Sequence, residues 1–466
     1  MKHIIKLLSL IGIFSFVIGG CNKKLDVEPR QNITPDQIRT EGDVLAVLNG
    51  AYTLLQDADA YGERYIFAAD LLAAENQVDF VGTFLDYRDL INKSQVENNL
   101  IAGGIWTNSY TIINVANTVI SKAEIVNENA REAVIAEAKF IRGLVYFQLV
   151  NFYAKPYSAG NTSSNPAVPL ILEPVFSYDP LRDNVARSTV EQVYTQIIQD
   201  LTIASADLPE ISTNAKASKY SALAILSRVY LNQAKYAEAA TAADEVIESD
   251  EYELITAFSG AFNNPSNSRE DIFAIQQTSQ SNAGTTNAGL TTFYLARRSD
   301  DPSIAGGGRG DAQSEAGHLN IFETADQRRA FFYTGASIAG VEGVYTQKWA
   351  VFYRNITVVR LAEMYLTRAE ANYRKGGAPI GGVDPMEDLN TVRERSGASP
   401  LTSITNANIF AEERFRELGF EGDRLWTLKR LRMTIDGLPY DADMLVLPIP
   451  QRELDINTSL DQNPGY

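Results

Sequence analysis

Cysteine and histidine are the scarcest reactive residues in this 466-residue chain, which holds one cysteine and two histidines. A single cysteine can form neither an intramolecular disulfide nor a Cys-rich zinc site, and it excludes a CxxC redox motif. His3 lies in a segment that we expect to be removed, which leaves His318 as the histidine of the mature chain. Chemistry that needs several histidines is therefore excluded, and carboxylates, hydroxyls, Lys/Arg and aromatics remain.

Positive charge is also in short supply. The 41 Lys and Arg residues face 58 Asp and Glu residues, which gives a formal net charge of −17. Such a surface repels phosphate backbones, so we expect no binding of nucleic acid. With 45% hydrophobic and 21% charged residues, the chain can bury a large core, which excludes disordered and fibrous classes.

Long apolar runs are missing except at the N-terminus. Leu7 to Gly20 is apolar or small throughout and follows Lys2 and Lys6. This run of about 14 residues is shorter than the roughly 18 needed to span a bilayer. The pattern predicts a secretory signal peptide over residues 1–20 that is cleaved off.

The only cysteine, Cys21, directly follows this segment. Ile18-Gly19-Gly20 before it resembles a bacterial lipobox, in which the cysteine is acylated and becomes the new N-terminus. Acyl chains anchor a protein to a membrane without spanning it. Cleavage would leave 39 positive against 58 negative side chains, a net charge of −19. The alternative is an ordinary signal peptide with a chance cysteine.

Helical periodicity dominates the sequence up to the middle of the chain. The apolar stripe between Thr40 and Gln56 predicts one helix, with Thr40 or Asp43 as its cap. Two more helices are predicted from Trp106 to about Asn127 and from Ala130 to about Tyr153. The short polar segment between them predicts an antiparallel hairpin.

Helix pairs of a recurring kind follow. Lys219 to Gln233 and Lys235 to Ser249 place alanines where helices approach closely, as in a tetratricopeptide unit of about 34 residues. Val358 to Arg374 with Met386 to Ser396 predicts a second unit, and Ala136 to Tyr153 has the texture of a third. Repeats of this kind stack into curved scaffolds that bind ligands.

Two stretches lack this periodicity. Lys155 to Asp183 is rich in Pro, Ser, Asn and Gly and predicts a surface loop. Residues 251–350 are rich in Ser, Asn, Gly and Thr, with a short strand expected near Asp271 to Gln276. A loop region of that length is usually functional. The region holds Phe293, Tyr294, Arg297, Arg298, His318 and Trp349. Packing and ligand contact are equally open roles for Trp349, as they are for Trp106 before it.

The patterns together predict an α-dominated protein with a tetratricopeptide-like scaffold and a long irregular, loop-rich ligand-binding half. We place one domain over residues 21–466. Its helical N-terminal part is expected over about 40–155, repeats over about 188–250 and 358–400, and the loop-rich insertion over about 251–350.

Two pairs of acidic residues have helical spacing, Glu75 with Asp79 and Glu413 with Glu417. Glycoside hydrolysis needs two carboxylates roughly 5–10 Å apart, one of them with a raised pKa. With 58 acidic residues, coincidental pairs are expected, so a structural role is favoured. No spacing of an EF-hand calcium loop is present, and we assign no metal site. His318 is expected to be solvated or to donate a hydrogen bond to a ligand.

Several motifs resemble those of one family, the SusD/RagB-like outer-membrane lipoproteins. Members capture nutrients for a TonB-dependent transporter of the SusC type. The similar residues include Trp106 with Tyr110, Ile113 and Asn117; Ala136 to Gly143 with Tyr146 and Phe147; Arg360 to Glu363; Glu421 to Arg424; and Gln462 to Tyr466.

The resemblance implies four tetratricopeptide-like units, no catalysis, no cofactor, and a lipid-anchored location at the cell surface in the outer membrane. It also implies a glycan ligand and a SusC-like partner. Glycan-binding members often use an aromatic residue at the position of Trp106, which makes Trp106, Tyr294 and Trp349 the predicted stacking platforms, with Arg297 or Arg298 as donors. Peptide binding is the main alternative, and a surface glycosidase the lesser one.

Overall fold

The structure is a computed structural model that describes residues 35–211, 215–297 and 308–466. About half of it is helical, with apolar residues at helical spacing. Cys21, Arg298 and the predicted signal peptide lie outside the described residues. The helices are α1 (Glu41–Gln56), α2 (Arg64–Leu72), α3 (Leu85–Asn92), α4 (Leu100–Ser121), α5 (Glu128–Tyr153), α6 (Pro180–Asp183), α7 (Val190–Asp207), α8 (Lys219–Asn232), α9 (Tyr236–Ile247), α10 (Leu290–Tyr294), α11 (Ala316–Leu319), α12 (Leu361–Lys375), α13 (Pro385–Arg395), α14 (Asn408–Leu418), α15 (Asp423–Arg430) and α16 (Gln451–Ile456).

Strands are short. They are β1 (Val78–Phe80), β2 (Asp271–Ile275), β3 (Ala312–Ser314), β4 (Phe332–Ala336), β5 (Glu342–Thr346) and β6 (Ile356–Arg360). Residues 40–466 form one compact unit, and a single 3₁₀ turn, Pro35–Gln37, belongs to the unit before it. No helix in the described ranges is both long and apolar enough to cross a membrane.

Helix starts follow the side-chain caps in the sequence. The hydroxyl of Thr40 accepts a hydrogen bond from the backbone N–H of Asp43, whose carboxylate accepts from the N–H of Thr40, a capping box that confirms the predicted start of α1. The start of α4 was predicted wrongly at Trp106. The side chain of Asn99 accepts from the N–H groups of Ile101 and Ala102, so the helix begins at Leu100 and includes the glycines before Trp106.

The long helices pack in a continuous series, α4 on α5, α5 on α7, α7 on α8, α8 on α9, α9 on α12 and α12 on α13. Buried arginine–carboxylate pairs cross several of these interfaces. Arg142 of α5 binds Asp200 of α7 through two bonds of 2.8 Å, and Arg368 of α12 binds Asp388 of α13. The helical scaffold predicted from periodicity is confirmed.

The loop-rich region is attached to this scaffold by a strand pair. β2 is buried along its whole length and pairs antiparallel with β6, so that Asp271 lies opposite Arg360 and Ile275 opposite Ile356. β6 runs directly into α12. The other two-stranded pairs, β1 with β3 and β4 with β5, are antiparallel. The strand predicted near Asp271 to Gln276 is confirmed.

A network of buried charges lies where the loop-rich region meets α14. Glu417 accepts hydrogen bonds from Arg360 (2.6 Å), Arg328 (3.0 Å) and Arg395. Arg360 also binds Glu270 at 2.8 Å and Glu421 at 2.9 Å. Burial alone would raise the pKa of Glu417, but the three guanidinium groups hold it well below its usual range.

Glu413, the other member of the predicted pair, binds Arg328 and Arg393 at 2.7 Å each. Despite burial, the guanidinium groups of Arg328, Arg416 and Arg393 lower the pKa of Glu413 as well. Glu75 lies in a turn and Asp79 on β1, both exposed. The structural role favoured from the sequence fits the Glu413–Glu417 pair, because both carboxylates are buried in ion pairs with arginines and neither has the raised pKa of a general acid.

Glu417→Gln is expected to lower the free energy of unfolding by about 3–5 kcal/mol, because it removes the buried carboxylate that three arginines share. Urea denaturation of wild type and variant measures the difference. Glu253→Gln is the matched control, since Glu253 and its partner Arg269 have side chains 58% and 73% exposed. Equal losses in both variants would contradict the structural role of Glu417.

Candidate ligand-binding face

A depression opens on the loop-rich half where three loops meet, those around Asn263, around Gln277 to Gly289, and from Lys348 to Asn355. Its volume is about 20 Å³. We call this surface the loop face, and it is lined by Gly62, Asn263, Gln277, Asn282, Gly284, Gly289, Leu290, Thr291, Lys348, Trp349, Val351, Phe352, Tyr353, Arg354, Asn355 and Ile356. Its volume is too small to enclose a ligand of several sugar residues.

Amide side chains fix the backbone of the loop face. The Oδ1 atom of Asn263 accepts from the N–H groups of Ala350 (3.0 Å) and Val351 (3.1 Å), and its Nδ2 donates to the carbonyl of Gln347 at 2.7 Å. Asn263 itself has a φ of 57°, which asparagine tolerates better than most residues. The side chain of Asn263 therefore fixes the backbone of residues 347–351, which directly precede the exposed Tyr353.

Asn355 and Gln277 hold the other side of the depression. The N–H of Gln277 donates to Oδ1 of Asn355 at 2.9 Å, and its Nε2 donates to the carbonyl of Arg354 at 3.0 Å. Nδ2 of Asn355 donates to Oδ1 of Asn267 at 2.6 Å. These bonds use part of the polar capacity of the amides and set the backbone in one conformation.

Tyr353 is the exposed aromatic residue of the loop face. It is 40% exposed and has a φ of 62°, a left-handed conformation that costs a non-glycine residue free energy. Next to it, the buried Nε of Arg354 has no hydrogen-bond partner among the described residues. An exposed aromatic residue beside a half-buried arginine and several amides offers stacking and hydrogen bonding together.

The predicted stacking platforms lie elsewhere or deeper. Trp349 is 7% exposed and forms a wall of the depression, and its Nε1 donates to the carbonyl of Phe420 at 2.8 Å. Tyr294 is fully buried, and its hydroxyl donates to Asp70 at 2.7 Å. Trp106 is 3% exposed, with its ring edge-on to Tyr153.

Neighbouring segments cover the rings of Trp106 and Tyr294 in this structure, so neither ring is open, and contact of either residue with a ligand stays a prediction. Arg297 is exposed but does not line the depression, and its backbone pairs with Ala336. Arg298 lies outside the described residues. Sequence reasoning missed Tyr353, Arg354 and Asn355, although an aromatic, a cation and an amide in a row just before β6 are a visible signal.

His318 is not solvated, contrary to the prediction. It is 1% exposed, and its ring lies edge-on to Phe322, Phe332, Phe415 and Phe420. Burial, with smaller effects from Lys348, Arg424 and Arg328, holds the pKa of His318 well below its usual value. It is a neutral core residue. No cluster of metal-ligating side chains occurs within the described parts of the chain.

The buried carboxyl group of Glu63 forms a hydrogen bond with a loop of the loop face. Glu63 accepts from the N–H of Gly289 at 2.6 Å and from the hydroxyl of Tyr87. Burial raises the pKa of Glu63 to about 8 and that of Asp70 to about 7. Because Gly289 lines the depression, its hydrogen bond to Glu63 helps to position one of the loops.

Family models match two parts of the chain. One, described as starch-binding and associating with the outer membrane, matches residues 23–231, and the model of the SusD family matches residues 343–445. Together they cover more than half of the chain. This chain belongs to the SusD/RagB family.

Similar proteins extend over nearly the whole chain. SusD-like protein P2 of Formosa agariphila is 27% identical to this chain, and the match covers 97% of this chain and 98% of the relative. The starch-binding protein SusD of Bacteroides thetaiotaomicron is 24% identical, over 71% of this chain and 72% of its own. A solved SusD superfamily structure from B. thetaiotaomicron superimposes with a TM-score of 0.80 at 25% identity, covering 91% and 100% of the two chains. The surface glycan-binding protein A of Bacteroides fluxus shares the fold, with a TM-score of 0.76 at 23% identity over 92% and 100%.

The SusD/RagB motif residues build the scaffold of this protein. The hydroxyl of Tyr110 donates to the carbonyl of Pro169 at 2.8 Å, and Nδ2 of Asn117 donates to that of Ile171 at 2.9 Å. Nη1 of Arg142 donates to Oδ1 of Asn117 at 2.8 Å. These bonds hold the predicted surface loop after α5 against α4. The motifs therefore identify the family without identifying the ligand.

Glu63→Gln should remove one source of pH dependence. The pKa of Glu63 is about 8 in the folded protein and 4.5 ordinarily, so the folded state keeps a proton that the unfolded chain releases between these values. The contribution of Glu63 to the free energy of unfolding therefore falls as pH rises through that window. We expect the variant to match wild type near about pH 5 and to exceed it by roughly 1–3 kcal/mol above about pH 8.

Denaturation at the two pH values measures this effect. Glu124→Gln, at a side chain that is 86% exposed, is the control and should show no such difference. If Glu63→Gln differed from wild type by the same amount at both pH values, the carboxyl would be ionised throughout and the explanation would fail.

Proposed function

We propose that this SusD/RagB protein is a lipid-anchored protein of the outer-membrane surface that binds an oligosaccharide or polysaccharide without cleaving it and delivers it to a SusC-type TonB-dependent transporter. Acylation of Cys21 would supply the anchor. The observation that carries the binding role is the open ring of Tyr353, set beside Arg354 and the amides of the loop face. The relatives named as starch-binding or glycan-binding support the ligand class.

Stacking on a sugar ring needs a flat apolar surface with polar groups around its edge. Tyr353 would be the stacking platform, the half-buried Arg354 a cationic neighbour of the ligand, and Trp349 a wall of the site. Because Tyr353 is exposed at the surface and not enclosed in a cavity, a long chain can pass over it, which favours a polysaccharide segment.

Tyr353→Ala is expected to weaken polysaccharide binding about tenfold, equivalent to about 1.4 kcal/mol, because it removes the exposed ring. Affinity electrophoresis or calorimetry with plant, algal and microbial polysaccharides measures it. Tyr373→Ala is the matched control, since Tyr373 is 38% exposed on α12 and does not line the loop face. Equal affinity of both variants, or binding of peptides alone, would contradict the proposal.

Deleting the partner transporter should abolish uptake of the glycan by cells while the purified protein still binds it. The reason is that binding depends on the loop face of this chain and passage across the membrane on the transporter. Uptake of labelled glycan and binding by the purified protein are measured side by side. Uptake that continues without the transporter would count against a delivery role.

A further inference from the structure

A second cavity lies inside the helical scaffold, between α5, α8, α12 and α15. Its volume of about 60 Å³ exceeds that of the loop face. We call it the scaffold cleft, defined by Tyr61, Phe147, Gln148, Asn151, Asn232 and Trp426. A smaller depression, lined by Pro156, Tyr157 and Ser158, shares Asn151, Asn232 and Trp426 with it. The scaffold cleft thus continues toward the loop that follows α5.

Two buried amide side chains in the cleft each have one polar atom without a hydrogen-bond partner among the described residues. Gln148 is 6% exposed; its Nε2 donates to the hydroxyl of Tyr61 at 2.8 Å, while its Oε1 has no hydrogen bond among the described residues. Asn151 is 7% exposed; its Oδ1 accepts from Tyr194 at 3.3 Å, while its Nδ2 has none. Turning either amide over only exchanges which atom is unpartnered.

These two side chains lie three residues apart on one face of α5. They present an acceptor and a donor to the same cavity. Leaving buried polar atoms unpaired costs free energy, so such atoms normally have a partner. In the scaffold cleft that partner must come from outside the protein.

Charged groups around the cleft neutralise one another. Arg228 binds Glu363 at 2.6 Å, Arg430 binds Glu370 through two bonds of 2.7 and 2.6 Å, and Arg414 binds Asp423. Since each cation already has a carboxylate, the cleft offers no net charge to a ligand. This favours a neutral molecule over a phosphate, a sugar acid or an amine.

Aromatic side chains supply the apolar walls. Trp426 is half-buried on α15, and Tyr61 and Phe147 line the same space. At roughly 10–15 Å³ per water, 60 Å³ holds about four to six waters or one compact molecule that replaces them. We propose that the scaffold cleft is a separate binding site for one small neutral polyhydroxylated molecule, no larger than a monosaccharide, held by Gln148 and Asn151 against Trp426. This proposal does not depend on the function proposed for the loop face.

Titration of the purified protein with glycerol and with glucose, followed by ligand-observed NMR, tests the site. Asn151→Leu keeps the size of the side chain and removes both of its polar atoms, so the variant should fold, which its thermal unfolding midpoint checks. We expect saturable binding of at least one probe, weakened at least tenfold by Asn151→Leu and unchanged by Tyr373→Ala. Gln148→Met provides the same test from the neighbouring position if Asn151→Leu does not fold.

Absence of saturable binding of either probe would overturn the proposal, and the cleft would then hold only water. Binding that survives both Asn151→Leu and Gln148→Met but is lost in Tyr353→Ala would also overturn it, because the sugar would then sit on the loop face. The experiments therefore test the two proposed functions independently. Polysaccharide binding depends on Tyr353 in our account, and binding of the small probes depends on Asn151.

Discussion

Burial of charge is the constraint on which the rest of this structure depends. Arg360 lies at the end of β6, Glu270 just before β2, and Glu417 on α14, and their side chains meet where water is excluded. A buried ion that loses its partner is strongly destabilising. These ion pairs therefore fix the position of the loop-rich region relative to α14, because a different packing would leave a buried charge without its partner.

This constraint explains how a region with little regular structure holds a defined surface. The strands that the structure describes form two-stranded sheets, and the backbone hydrogen bonds of such small sheets would stabilise this region only weakly. The charge network fixes its base, the buried Glu63 holds the loop at Gly289, and Asn263 fixes the turn before Tyr353. The outer side chains of the loops are therefore not needed to hold the base of the region in place.

The two candidate sites differ in geometry and so in what each can hold. The loop face has one exposed aromatic residue and amides whose hydrogen bonds are mostly used within the protein. The scaffold cleft has a volume of about 60 Å³ against about 20 Å³ for the loop face, and it is lined by amides with unused hydrogen-bonding capacity. We therefore assign the extended glycan to the loop face and a single small polyol to the scaffold cleft.

The sequence by itself determined the helices, the buried strand at Asp271, the cap at Thr40 and the family, because helical periodicity and capping are local properties. It also predicted that the ligand-binding region lies in the long loops. Only the tertiary structure decided which aromatics there are open: Trp106 and Tyr294 are covered by segments distant in the chain, and Tyr353 is not. The same holds for Glu417 and His318: burial would raise the pKa of Glu417, but Arg395, Arg360 and Arg328 lower it, and burial among four phenylalanines lowers the pKa of His318, although no local pattern connects these neighbours to either residue. Exposure and ionisation depend on neighbours brought together by folding, and those neighbours are not encoded in the spacing of nearby residues.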